Sequence, residues 1–152
     1  MDFTRHVGFY LHNVCNNSHI KLSRDYCKCF ILSWIGIFIV GFAIEVVSDQ
    51  QKSAFRAVPE NKEKFITSGL WSKSQHPNYF GEILLWSAIA LLSISSLNGT
   101  QYLTLISPVF TYVLLVYISG VRMLDDMGNK KWGHLEEYKE YKRNTPTLFL
   151  KL

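Results

Sequence analysis

Apolar and charged positions are segregated along this chain. Three stretches almost free of charge alternate with charge-rich connections. The first, about residues 29–48, reads CFILSWIGIFIVGFAIEVVS and holds one charged side chain, Glu45. At a rise of ~1.5 Å per residue, about 20 helical residues cross a hydrocarbon layer ~30 Å thick. The second stretch, about 80–97, is FGEILLWSAIALLSISSL, and the third, about 102–120, is YLTLISPVFTYVLLVYISG. Pro108 is expected to kink the third span, with neighbouring helices satisfying the freed carbonyl. Only Asn98, Gly99, Thr100 and Gln101 separate the last two stretches, which predicts a tight antiparallel hairpin. From Asp125 to Arg143 the periodicity places Trp132, Leu135, Tyr138 and Lys142 on one side of an amphipathic helix that Pro146 ends. The pattern predicts an all-α fold: a polytopic membrane helix bundle with three transmembrane helices and a cytosolic C-terminal amphipathic helix.

Charge supplies the orientation. The 152 residues carry 16 Lys and Arg against 12 Asp and Glu, a net charge of +4. Because these cations flank apolar spans, they point to topology and lipid headgroups and not to nucleic acid. Lys52, Arg56, Lys62, Lys64 and Lys73 lie in the loop after the first span, and Arg122, Lys130, Lys131, Lys139, Lys142 and Arg143 lie in the tail. Both segments fall on the same side, which the positive-inside rule makes cytosolic. The Asn98-Gly99-Thr100 turn, a formal glycosylation sequon close to the membrane, then faces the other side. Residues 1–28 form a separate segment with Arg5, Lys21, Arg24 and Lys28, on the side where three spans would not place cations. Either this segment returns to the cytosolic face, or the chain is a shortened form of something with more spans before Cys29; the second explanation is favoured. Arg5, His6 and His12 interrupt any apolar leader. Cys15, Cys27 and Cys29 fit neither a disulfide framework nor a zinc set and read as free thiols.

Two constellations bear chemistry. Glu45, Asp49, Lys52 and Arg56 follow at i, i+4, i+7 and i+11, one helical face if the first span continues beyond the membrane surface. The bland reading is an interfacial helix end with snorkelling cations and local ion pairs. Glu45 argues against it, since an acid one turn inside hydrocarbon normally faces a polar cavity. The second constellation is GLWSKSQHPNYFGE, residues 69–82. Pro77 suits a first helical position, and the helix it opens presents free N–H groups and a positive dipole end to an anion such as pyrophosphate. Gly81 permits close approach of backbone or ligand. Asn78 and Glu82 share a face that Trp86 continues. The bland alternative is an ordinary helix start in an aromatic belt of Trp71, Tyr79 and Phe80.

GLWSKSQHPNYFGEILLW resembles the signature of the steroid 5α-reductase-like family, including its subgroup with a C-terminal domain of unknown function. The upstream GFAIEVVSDQQKSAF resembles the segment preceding that signature, and SGVRMLDDMGNKKWGHLEEYKEYKRNTPTLF resembles the family's last helix and Tyr-x-x-Tyr tail. The resemblance runs from about Gly36 to Phe149, so residues 29–152 are expected to form a reductase-like C-terminal membrane domain.

That resemblance implies a membrane-embedded oxidoreductase using NADPH to reduce a carbon–carbon double bond of a sterol-like or other lipid, in the endoplasmic reticulum or another internal membrane. It places Asp49 and Arg56 on the nucleotide, Asn78 and Glu82 near the nicotinamide, and Arg122 on a phosphate. Lys52, His76, Tyr79 and Gly81 join the expected cofactor-binding set, and Lys73 is a further candidate contact. No metal is implied. The proton donor is unassigned; Tyr79, Tyr112 and Tyr117 qualify by chemistry alone. Relatives carry Arg where this chain has Gln75, and Glu where it has Asp125. They also carry N-terminal helices that supply the catalytic acid and much of the lipid pocket, so a membrane protein partner supplying missing helices is an expected companion. His76-Pro77-Asn78-Tyr79-Phe80-Gly81 also fits the signature of isoprenylcysteine-type, S-adenosylmethionine-dependent methyltransferases. A non-catalytic membrane fragment acting as an interaction protein is the remaining alternative.

Overall fold

The fold is known from a computed structural model, which describes residues 24–94, 96–118 and 120–151, with side chains from Cys29 onward. The expectations for residues 1–23, and for the thiols of Cys15 and Cys27, lie outside the described residues. Helix α1 runs from Arg24 to Ala57 and α2 from Pro77 to Ser93. After a 3₁₀ run, Gly99–Ile106, α3 occupies Ser107–Val113 and continues as a π-helical turn, Leu114–Ile118. Helices α4 (Val121–Trp132) and α5 (Glu136–Asn144) complete the all-α order among the described residues.

Among the described residues, two helical stretches are long and apolar enough to cross a membrane, Cys29–Ala57 and Gly99–Trp132, where the sequence suggests three. The correction falls on the expected second span. Helix α2 has 17 residues, which at ~1.5 Å each reach about 25 Å and fall short of the hydrocarbon thickness. Its first turn is spent on Pro77, Asn78 and Tyr79, and the helix stops at Ser93 where apolar sequence still continues. The expected third span is a composite of 3₁₀, α and π turns. Pro108 stands where the 3₁₀ run passes directly into α3, in the first turn of that helix.

The single tail helix expected from Asp125 to Arg143 is two helices. The N–H of Gly133 bonds to Asn129 O at the end of α4, and Leu135 turns extended (φ −86°, ψ 127°) before α5 begins. This break folds α5 back towards α1. Phe65, Trp132 and Tyr138 then pack together, with ring centroids 5.0 to 5.9 Å apart.

Helix α1 does run unbroken past Glu45 to Ala57, so Glu45, Asp49, Lys52 and Arg56 do share one face. Its N-terminal two-thirds exposes Phe30, Leu32, Ile39, Val40 and Phe42, a surface suited to lipid or to further helices. Helices α1 and α2 pack backbone to backbone at Gly41 and Gly81. A Cβ on Gly81 would lie 2.6 Å from Gly41 O and 2.7 Å from Glu45 N. The close approach that Gly81 allows is therefore to the neighbouring helix.

The connection between α1 and α2 is pinned to α1 on one side and to α5 on the other. Trp71, 5% exposed, donates its indole N–H to Ser48 O at 3.0 Å, and Gln51 Oε1 accepts from Leu70 N at 2.9 Å. Gly69 adopts φ 63° directly against the Gln51 side chain. On the other side the Tyr141 hydroxyl donates to Trp71 O at 2.6 Å.

Candidate functional site

Folding α5 back encloses a cavity of about 520 Å³, within the ~300–1,000 Å³ typical of ligand sites. Its walls come from the last turns of α1, the connection 61–76, α4 and α5. Lys52, Arg56, Lys62 and Lys64 line it, and so does Lys131, whose Nζ is held by Glu63 (3.1 Å) and Lys62 O (3.0 Å). Phe65, Trp132 and Tyr138 supply an aromatic wall beside these cations. Asp125 is the cavity's acid, and Lys142 bridges it at 3.1 Å.

His76 closes the inner end of the cavity. It is 6% exposed and precedes the first residue of α2, and its Nε2 is buried without a hydrogen-bond partner. Asp125 Oδ1 lies 3.9 Å away, too far for a hydrogen bond. Burial is the main reason the imidazole pKa drops from 6.5 to about 4; Lys52 and Lys142 add to the drop, and Asp125 opposes it. His76 is thus neutral at pH 7, so its contact with Asp125 is not an ion pair. A buried ring nitrogen without a hydrogen-bond partner, on a residue that lines the cavity, marks the position as one to test for function.

The His76 shift has a stability consequence. Because the folded-state pKa is depressed, the neutral form's contribution is complete above pH 6.5. It is lost as pH falls towards about 4, where the unfolded chain holds the extra proton. The loss is on the order of 3 kcal/mol. His76→Asn should flatten this part of the pH–stability curve, and melting wild type and variant in detergent across that window measures the difference.

A second cluster lies behind His76. The His76 and Tyr79 rings stack at 5.5 Å and 11°. Burial raises the Tyr79 phenol pKa, and the charges of Glu82 and Asp49 raise it further. Asp49 from α1 and Glu82 from α2 are thus near enough for their charges to act on Tyr79, whose ring lies on His76.

The residues singled out from the sequence are thus divided. Lys52, Arg56 and His76 line the cavity; Asp49, Tyr79 and Glu82 gather beside it. Asn78 is half-buried in the first turn of α2, Gly81 is buried against α1, and Arg122 is exposed in the first turn of α4, none of them on the cavity wall. Tyr112 and Tyr117 contact each other edge to face across the π turn, at 6.0 Å, both exposed. Lys62, Lys64, Phe65 and Trp132 were not picked out as site residues. Lys62 and Lys64 had entered only as topology charges, and Trp132 as part of an amphipathic face. Their alternation of bases with an aromatic was the available signal.

Gln75, at which the resemblance leads one to expect a cation, has a structural task. Its side-chain amide donates to Thr145 O (2.6 Å) and Lys142 O (3.2 Å), closing the C-terminal end of α5.

These features define an all-helical, membrane-associated chain with a basic cavity at the foot of its long first helix. The chain belongs to the family described as protein of unknown function DUF1295, which matches residues 8–145. It is 30% identical over 128 residues to a Delta(14)-sterol reductase of Saccharomyces cerevisiae, covering 76% of this chain and 27% of that protein. It is also 38% identical over 63 residues to a probable O-methyltransferase of Ustilaginoidea virens, covering 41% of this chain and 22% of that protein. The chain thus spans about a quarter of the length of each. No solved structure matches it. The relation is to sterol reductases and the unknown-function group; nothing singles out the steroid 5α-reductases.

Proposed function

We propose that this chain is the cofactor-holding part of a membrane reductase that uses NADPH to reduce a carbon–carbon double bond of a sterol-like or other lipid. The observation that carries this reading is the cavity itself, which Lys52, Arg56, Lys62 and Lys64 line together with His76. Several cations around one space suit a ligand with several phosphates, and charge-assisted hydrogen bonds to phosphate are among the strongest available to a side chain. Bound NADPH supplies a hydride, and the lipid needs a proton at the adjoining carbon.

The chain's own residues divide the remaining work. Lys52 and Arg56 hold phosphate oxygens, and neutral His76 hydrogen-bonds the cofactor from the inner wall. Asp49, Asn78 and Glu82 receive the nicotinamide end, beyond the Tyr79 ring. Tyr79 is the proton-donor candidate nearest this site, its phenol being protonated at neutral pH as a tyrosine's ordinarily is. Further helices, from a longer form or from a partner membrane protein, complete the lipid pocket. The expected setting is the endoplasmic reticulum or another internal membrane.

The match to a probable O-methyltransferase supports a second reading, transfer of a methyl group from S-adenosylmethionine. That cofactor carries a sulfonium cation and one carboxylate, a poorer partner for a lysine-lined cavity. Titrating the detergent-solubilised protein with each cofactor separates the two. Saturable NADPH binding and none of S-adenosylmethionine is expected; the opposite result would replace the reductase reading.

A further inference from the structure

The C-terminal segment, residues 145–151, lies along the Lys73–Gln75 strip. Gln75 N–H donates to Pro146 O at 2.9 Å, and Lys151 N–H to Lys73 O at 2.8 Å. Between them sits Ser74, fully buried. Its hydroxyl donates to Leu148 O at 2.9 Å and accepts the backbone N–H of His76 at 3.2 Å. One hydroxyl therefore joins the tail of the chain to the backbone of the residue whose ring closes the cavity. Phe149 adds an apolar anchor, edge to face against Phe80 at 5.8 Å.

The arrangement makes mechanical sense. His76 has φ −137° and ψ 64°, outside the helical region, and its own side chain makes no capping hydrogen bond to α2. Its ring stacks on Tyr79 with Asp125 3.9 Å from Nε2. Where that ring lies then depends also on where the backbone is clamped, and the clamp is Ser74 backed by the tail. A buried hydroxyl that both donates and accepts is a rigid joint, because losing either partner leaves an unsatisfied polar group.

We propose that Ser74 is a positioning residue: it couples the C-terminal segment to His76, so that the tail takes part in shaping the cofactor cavity. The inference deepens the proposed function and rests on it for the identity of the ligand, but the link from tail to His76 can be tested without any ligand.

The experiment follows the His76 ring by NMR, with ¹³C-labelled histidine in the full chain in detergent, as pH is varied. Asp125, Lys52 and Lys142 are the charges facing the ring. Wild type, Ser74→Ala and Ser48→Ala are compared, with Ser74→Thr as the hydroxyl-retaining variant. Ser48 is the matched control: it too is fully buried, but its hydroxyl bonds only within α1, to Ile44 O and Glu45 O. Ser74→Ala is expected to raise the His76 midpoint by about one pH unit, as loosened packing admits water. It should also weaken NADPH binding by roughly 10-fold. Ser74→Thr should restore both, and Ser48→Ala should change neither. An unchanged His76 titration in a folded Ser74→Ala protein overturns the coupling, as does an equal shift in Ser48→Ala. Absence of NADPH binding in wild type would count instead against the reductase reading, leaving the titration result to stand.

Discussion

Gly81→Leu is expected to yield no stable folded protein. A side chain there meets main chain on all near sides, Gly41 O and Glu45 N both under 3 Å from the first carbon. No rotamer change relieves a backbone clash, so α1 and α2 must separate along their whole contact. That contact sets α1, which brings Asp49, Lys52 and Arg56, against α2, which follows His76. Overpacking alone typically costs ~1–3 kcal/mol; forcing two backbones apart costs more, against a total stability of roughly 5–15 kcal/mol. Gly36 provides the contrast, because a Cβ there meets nothing within 4 Å. Gly36→Leu should elute as a single species in detergent and melt like wild type. Gly81→Leu should aggregate or melt far lower, and a wild-type profile for it would show that the helices do not cross at this point.

The second large effect is on ligand binding. Removing Lys52 and Arg56 together, as the double alanine variant, is expected to lower NADPH affinity by about 100-fold or more. Two phosphate contacts at ~1.5 kcal/mol each set that scale. Added salt should weaken binding to wild type steeply and to the double variant less steeply, because fewer charges remain to be screened. Lys139→Ala, which removes an exposed lysine paired with Glu136, controls for net charge and should bind like wild type. Equal affinity in all three proteins would remove the basic cavity from consideration as the nucleotide site.

Much of this architecture was legible from pattern. Helical character, the long first helix and its polar face all follow from apolar periodicity and the i, i+4, i+7, i+11 spacing. Helix α2 misled because composition does not reveal where a helix stops: the apolar run continues to Leu97, but the helix ends at Ser93. The tail misled for a related reason. Its amphipathic spacing continues through Gly133, and only the packing of Tyr138 beneath Gly128 and against Phe65 favours a reversal of direction there.

The site was half legible. Lys52, Arg56 and His76 stood out because they were near a recognisable motif. Lys62, Lys64 and Phe65 belong to the cavity only because α5 folds back, a long-range event with no local mark. Gln75 read as a lost cation, whereas its amide holds the end of α5.

The length of α1 bears on where chemistry would take place. With 34 residues it extends about 50 Å, some 20 Å more than the hydrocarbon needs. From Glu45 to Arg56 is about 16 Å of unbroken helix, so the cations ride at a height set by a rigid rod and not by a loop. If its apolar part crosses the lipid, the helix works as a gauge that sets the cavity at its C-terminal foot near the level of the headgroups. A water-borne dinucleotide and an oily substrate would there approach from opposite sides of one plane, without either crossing into the other's solvent.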